Sequence, residues 1–333
     1  MNRTQWTLGG LLVLQVGWIA LARGPIGRGD TAAVAARPLL PEVAGLQAQK
    51  IAVDGKDGAK LTLVRSGETW GIEEAGGYPA EMDKVTKLVE SLKGLQVRRP
   101  VVSSSRYHAA LKVTEKENER RLRMWDDPTG APKVDVLFGS SPNYRITHVR
   151  RAAEEPVYEV SGVGVYDIRD SAAGWIDTRF VDAESARVTR FKLQNSHGTF
   201  ELENSGGSWQ VASPGGPGTK LDATKVDALV RAATLINTAE PAGKIDRAAH
   251  GLEPPQATVT LQIAAAPADA AVGEGDEAAT PAAPPRDITL WVGGSVPGVE
   301  GQQFLARAGF DYTVRVWKGS VEKFIDGKLK DLK

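Results

Sequence analysis

"RSGETWGIEE" (Arg65–Glu74) reads as a strand end, a glycine turn and a second strand opening on a tryptophan. "NSGGSWQVA" (Asn204–Ala212) writes the same turn and the same Trp 139 residues later. The repetition extends outward in both directions. Upstream of Trp70, "KIAVDG" and "AKLTLVR" place Ile51 and Val53, then Leu61 and Leu63, in alternation with polar neighbours. Upstream of Trp209, Phe191 and Leu193, then Phe200 and Leu202, do the same. Period-two alternation is the mark of half-buried strands, so each copy reads as strand, turn, strand, glycine turn, Trp-bearing strand.

Downstream the period changes to that of a helix. "EMDKVTKLVESLKGL" (Glu81–Leu95) places Met82, Val85, Leu88, Val89, Leu92 and Leu95 on one face, with Lys84, Lys87 and Glu90 opposite. "LDATKVDALVRAATLI" (Leu221–Ile236) repeats the stripe with Val226, Leu229, Val230, Ala233 and Ile236. Two residues inserted in the Gly/Pro loop account for the changed offset, and surface loops absorb such insertions cheaply. Further matches pair "YHAAL" (Tyr107–Leu111) with "AAHGL" (Ala248–Leu252), "RRLRMW" with "ATVTLQI", "VDVLFGSSP" with "ITLWVGGSVP", and "PVYEVSG" with "YTVRVWKG". A short helix-like piece closes each copy, near Val163–Asp170 and Ser320–Lys330, and "WIDTRFVDAESARV" (Trp175–Val188) joins the two.

The expected fold class is α+β. Two tandem duplicated repeats, 39–178 and 179–333, each carry an antiparallel sheet with one amphipathic helix packed on it, after an N-terminal transmembrane helix. Trp70 and Trp209, at one repeat position, are read as rings packed between sheet and helix, with an aromatic ligand platform as the rival reading. Val85, Leu88, Val89, Val226, Leu229 and Val230 complete the expected core. Trp125, Trp175, Trp291 and Trp317 are expected to pack as well. The stretch 264–286 between two paired strands is Ala/Pro/Gly/acid-rich and is read as a disordered loop.

The 17 uncharged residues Trp6–Ala22 span about 25 Å as a helix, against a hydrocarbon core of roughly 30 Å. They are read as an uncleaved anchor, with a signal peptide cleaved after "ALA" (Ala20–Ala22) as the alternative. Residues 23–38 form a flexible linker, and the bulk of the chain is placed outside the cytoplasm, on an inner membrane.

Composition excludes several chemistries. The chain has 333 residues and no cysteine, so thiolate catalysis and disulfides are out. Lys+Arg and Asp+Glu balance at 41 each, which gives no global field for nucleic acid. The four histidines, His108, His148, His197 and His250, show no metal-ligand spacing. No P-loop and no G-x-S-x-G elbow occurs, and "GVGVYD" (Gly162–Asp167) is a fragment of a dinucleotide fingerprint outside a βαβ setting. "SSS" (Ser103–Ser105) has no nearby base. The carboxylate pairs Glu73/Glu74, Asp126/Asp127 and Glu154/Glu155 are sequence neighbours that a strand would point to opposite faces. His108 and His250 are offset by one residue in the expected alignment. No catalytic, cofactor-binding or metal-binding residue is assigned.

The anchor, the strand pair, "WGI" or "WQV", the helix led by Asp83 or Asp222, and "HGLEPP" (His250–Pro255) together resemble the bacterial domain-of-unknown-function family 4340 (DUF4340). The first copy departs from the pattern, with Ala109 and Ala110 where the glycine motif is expected. The resemblance implies a membrane-anchored extracytoplasmic protein associated with ABC-type export components similar to those of gliding motility. It carries no catalytic residues. The expected function is therefore a non-enzymatic accessory or scaffold protein, with a transporter permease or another envelope protein as partner. A glycan- or peptide-binding module using a groove between the repeats, and an envelope hydrolase, stand as alternatives.

Overall fold

The computed structural model of the chain describes residues 35–216, 218–265 and 284–333. The expected anchor, most of the linker and most of the acidic loop lie outside those residues. Among the described residues, no helix is long and apolar enough to cross a membrane.

The first half of the chain contains strands β1 (Arg37–Pro38), β2 (Lys50–Gly55), β3 (Lys60–Ser66), β4 (Thr69–Ile72) and β5 (Tyr78–Ala80), then helix α1 (Met82–Lys93). After it come β6 (Gln96–Val97), β7 (Arg120–Trp125), β8 (Val134–Phe138), β9 (Ile146–Arg151) and β10 (Val157–Ser161). The second half contains β11 (Arg179–Asp182), β12 (Val188–Asn195), β13 (Gly198–Ser205) and β14 (Ser208–Ser213), then α2 (Ala223–Thr234). It continues with β15 (Leu235–Asn237), β16 (Glu240–Lys244), β17 (Ala257–Ile263), β18 (Arg286–Ser295), β19 (Gln302–Arg307), β20 (Tyr312–Trp317) and α3 (Lys318–Ile325).

These strands form two eight-stranded sheets, β10-β9-β8-β7-β2-β3-β4-β5 and β14-β13-β12-β17-β18-β19-β20-β16, and every named pair is antiparallel. Seven strands occur in the same order in both. A three-strand meander and a four-strand meander are joined by pairing their first strands, β2 with β7 and β12 with β17. A two-strand ribbon, β1 with β6 and β11 with β15, flanks each helix.

This architecture corrects the α+β class. The fold is mostly β: sheet dominates, and the helices are short covers on it. The segments behind the error are strands too short, or buried on both faces through polar as well as apolar residues, for the period-two signal. β5 and β16 sit beside Pro and Gly, and β9, "ITHVRR", is buried at four consecutive positions.

The alternating strands do bury one face. Ile51, Val53, Leu61 and Leu63 in the first sheet, and Phe191, Leu193, Phe200 and Leu202 in the second, are all 5% exposed or less. Trp70 is buried, whereas Trp209 is half-buried at the rim of the same cluster. Val85 and Leu88 of α1, and Val226, Leu229 and Val230 of α2, are buried, and Val89 is partly so. Met82 and Trp317, expected to pack, are 40% and 58% exposed. Asp222 caps α2, its carboxylate accepting from the backbone N–H of Thr224 (3.0 Å) and Lys225 (3.2 Å). Asp83 is no counterpart, because it lies inside the first turn of α1, where Glu81 is the cap residue.

One apolar cluster runs through both halves. At the junction, β5, the odd strand of the first sheet, meets β16, the odd strand of the second. Tyr78 stacks edge-on against Phe310 and Tyr312, at 5.6 and 5.2 Å between ring centroids, and Phe310 meets Phe180 at 6.0 Å. Tyr312 Oη donates to the Gly77 carbonyl across the junction at 2.8 Å. Burial pushes the Tyr78 phenol up to about 12, against the opposing charge of Arg307. The expected groove between the repeats is thus a junction occupied by packed rings.

Candidate functional site

The outer face of each sheet carries a turn, and backbone hydrogen bonds fix how the two turns correspond. Val113 N–H donates to the His108 carbonyl (2.9 Å) and Lys112 N–H to Ala109 (3.1 Å). Leu252 N–H donates to the Arg247 carbonyl (2.7 Å) and Gly251 N–H to Ala248 (3.1 Å). Lys112 therefore stands at the position of Gly251, two residues from where the sequence alignment put it. The backbone agrees, since both residues are left-handed, with φ of 54° and 63°. His108 and His250 are three positions apart in this register, so neither echoes the other.

Each turn lies on a glycine. A Cβ at Gly139 would run into the Leu111 carbonyl oxygen, and one at Gly293 would run into the His250 carbonyl oxygen. The buried residues Val113 and Leu252 anchor the two turns. In the second half His250 lies against Phe304, their ring centroids 4.6 Å apart. Burial holds the His250 imidazole below its ordinary value, and Asp246 opposes the shift.

One grouping that sequence reading missed has the composition of a hydrolytic triad. Ser140 Oγ lies 3.0 Å from His148 Nδ1, and His148 Nε2 lies 3.6 Å from Glu159 Oε1. Cross-strand pairing brings His148 and Glu159 together. The Ser140 hydroxyl, however, also meets the Leu111 carbonyl at 3.1 Å. A carbonyl only accepts, so the single hydroxyl proton is directed there and the Nδ1–H of His148 donates to Oγ. That polarity is the reverse of nucleophile activation, in which the hydroxyl gives its proton to the imidazole. The grouping clasps the turn to the sheet.

The feature best formed to receive a ligand lies on the inner side, beside α2. A groove of about 520 Å³ runs between α2 and the chain from α3 to Lys333. Phe200, Leu229 and Leu332 give it an apolar floor, each 7% exposed or less. Lys225, Lys323 and Lys328 share its rim with Glu322, Asp326 and Asp331. Apolar concavity with a few polar groups at the edge is the usual make-up of a binding site. Its walls are about a hundred residues apart in sequence, so no local pattern announces it.

A family model described as "Domain of unknown function (DUF4340)" matches residues 70–253, more than half of the chain. The chain belongs to the DUF4340 family. The matched span begins at Trp70 in the first sheet and ends in the turn of the second, so it crosses the junction and takes in α1, α2 and both turns. No curated protein and no solved structure matches the chain. Among the described residues, no three His, Cys, Asp or Glu side chains cluster as a metal site.

Proposed function

We propose that this DUF4340 protein is a non-enzymatic accessory or scaffold protein. Its N-terminal apolar stretch anchors it in the inner membrane, its two sheets project outside the cytoplasm, and it associates with an ABC-type transport system. The observation that carries the scaffold reading is the single apolar cluster that runs through both sheets and the aromatic junction. A continuous core makes the two halves move as one body, which suits a part that holds a partner in place. The 17 uncharged residues Trp6–Ala22 support the anchor, and the transport association follows the family resemblance.

The test is affinity purification of the full chain from detergent-solubilised membranes, followed by mass spectrometry. Co-purification of a permease or another envelope protein is the expected result. A lone monomer recovered from the soluble fraction would contradict both anchor and association.

A further inference from the structure

The groove beside α2 has a twin beside α1. Lys84, Lys87, Leu88 and Trp175 line a smaller space of about 140 Å³. Their counterparts Lys225, Ala228, Leu229 and Leu332 line the larger one. Hydrogen bonds establish the equivalence independently of the helix alignment. Glu81 N–H donates to the Trp175 carbonyl at 2.7 Å, and Asp222 N–H donates to the Leu332 carbonyl at 2.8 Å. Lys84 Nζ donates to the Ile176 carbonyl at 2.6 Å, and Lys225 Nζ donates to the Lys333 carbonyl at 2.9 Å. The segment around Trp175 and the segment around Leu332 therefore close the same side of the same groove.

What they put into it differs. In the first half an indole enters. Trp175 is 2% exposed, and its Nε1–H donates to the Arg169 carbonyl at 2.9 Å. In the second half Leu332 replaces the indole, and Ala228 replaces the long side chain of Lys87. Both changes remove volume from the walls, and the space stays open.

We propose that the second groove is a docking site for a tryptophan-bearing segment of a partner protein, whose indole enters between α2 and α3 as Trp175 enters beside α1. This inference names the partner chemistry for the scaffold reading and rests on that reading. An indole suits the site on two grounds. The floor of Phe200, Leu229 and Leu332 offers apolar contact on which a large ring gains most from burial. The rim of three lysines and three carboxylates offers donors and acceptors to the backbone of an extended segment. Tryptophan is also among the residues that most often dominate protein interfaces from such pockets.

The test uses the protein's own filling segment as probe, an acetylated and amidated hexapeptide of residues 172–177, "AAGWID", carrying 5-fluorotryptophan. It is titrated into the full chain and followed by fluorine NMR. The expected result is saturable binding at one site, at least ten-fold tighter than for the same peptide with alanine in place of its tryptophan. Leu332→Trp, which builds the first groove's filling into the second, is expected to abolish that binding. Ala228→Trp fills the groove from the exposed side of α2 and gives the same readout should Leu332→Trp fail to fold. Equal binding of the two peptides, or tryptophan-dependent binding that survives in the folded variants, would overturn the proposal. Co-purification with a membrane partner reads the scaffold separately. A scaffold using another surface would keep its partner and ignore the peptide.

Discussion

The two halves of the molecule share seven strands in one order, a helix over the inner face and a turn over the outer face. Three of their differences bear most on the site. The first half adds β5 at the edge of its sheet and the second adds β16, and these odd strands are the ones that meet at the junction. The outer turn uses Lys112 in one half and Gly251 in the other at a left-handed position. The inner groove is filled by Trp175 in one half and left open at Leu332 in the other. The shared parts are those that sheet and helix packing demand. The differences concentrate where the halves join and where a ligand would enter. On the docking proposal, one copy of the duplicated unit closes its groove for stability and the other keeps it free for contact.

The comparison is most easily broken at the glycines under the turns. Gly139→Ala and Gly293→Ala each drive a methyl into a backbone carbonyl that has little room to retreat. Each is expected to cost about 3 kcal/mol, as over-packing in a tight site does. Chemical denaturation of both variants reads the cost. Equal losses support the equivalence of the turns, and a neutral result at either position contradicts it.

Trp175→Leu makes the first groove resemble the second. Loss of a buried ring and of its bond to Arg169 is expected to cost about 3 kcal/mol, toward the lower end for large-to-small core changes because the site already tolerates leucine in the other half. A cost below about 1 kcal/mol would mean that the indole is not a packing element.

Lys112→Gly sharpens the comparison in the other direction. Lysine at φ 54° is strained, and glycine adopts that conformation freely. The Lys112–Glu119 pair lost in the exchange lies at the surface, with half of the lysine side chain exposed, and such pairs contribute little. A net gain of about 0.5–1 kcal/mol is expected from thermal or denaturant unfolding. Destabilisation would contradict the assigned register.

The smallest effect lies in pH dependence. Because burial lowers the His250 value in the folded chain, the unfolded chain takes up the proton first as pH falls. Stability present above about 6.5 is therefore lost as pH drops below it and through the lower folded value. Leu111 occupies the equivalent position in the first half, so His250→Leu is expected to flatten the stability profile below about pH 6.5. An unchanged slope would place the proton uptake elsewhere.

Much of the fold is legible in the sequence, and the reasons are local. The Trp-bearing strands, the alternation at Ile51–Val53 and Phe191–Leu193, and the helical stripes at Val85–Leu92 and Val226–Ala233 each carry their period within a few residues. The errors come from features that are not periodic. β5 and β16 are short edge strands holding Pro or Gly, which carry no period-two signal, so the sequence reads as α+β where the structure is mostly β. The sequence aligns the outer turns on the leucines of "YHAAL" and "AAHGL", while the backbone places Gly251 opposite Lys112, a lysine in a left-handed conformation. The Ser140–His148–Glu159 grouping exists only through strand register. Trp175 reads in sequence as part of a join, and nothing nearby says that it fills a groove. The second groove is still less visible, because it is defined by the absence of an equivalent ring at Leu332.

The central claim is that the two inner grooves are one site, filled in the first half and open in the second. Titrating the fluorinated 172–177 peptide into the wild-type chain and into folded Trp175→Leu/Lys87→Ala, which makes both changes that open the second groove, tests it most directly, by stoichiometry. The account predicts one equivalent bound by the wild type and two by the variant, as the emptied first groove becomes a second receptor. An unchanged stoichiometry in the variant would contradict it.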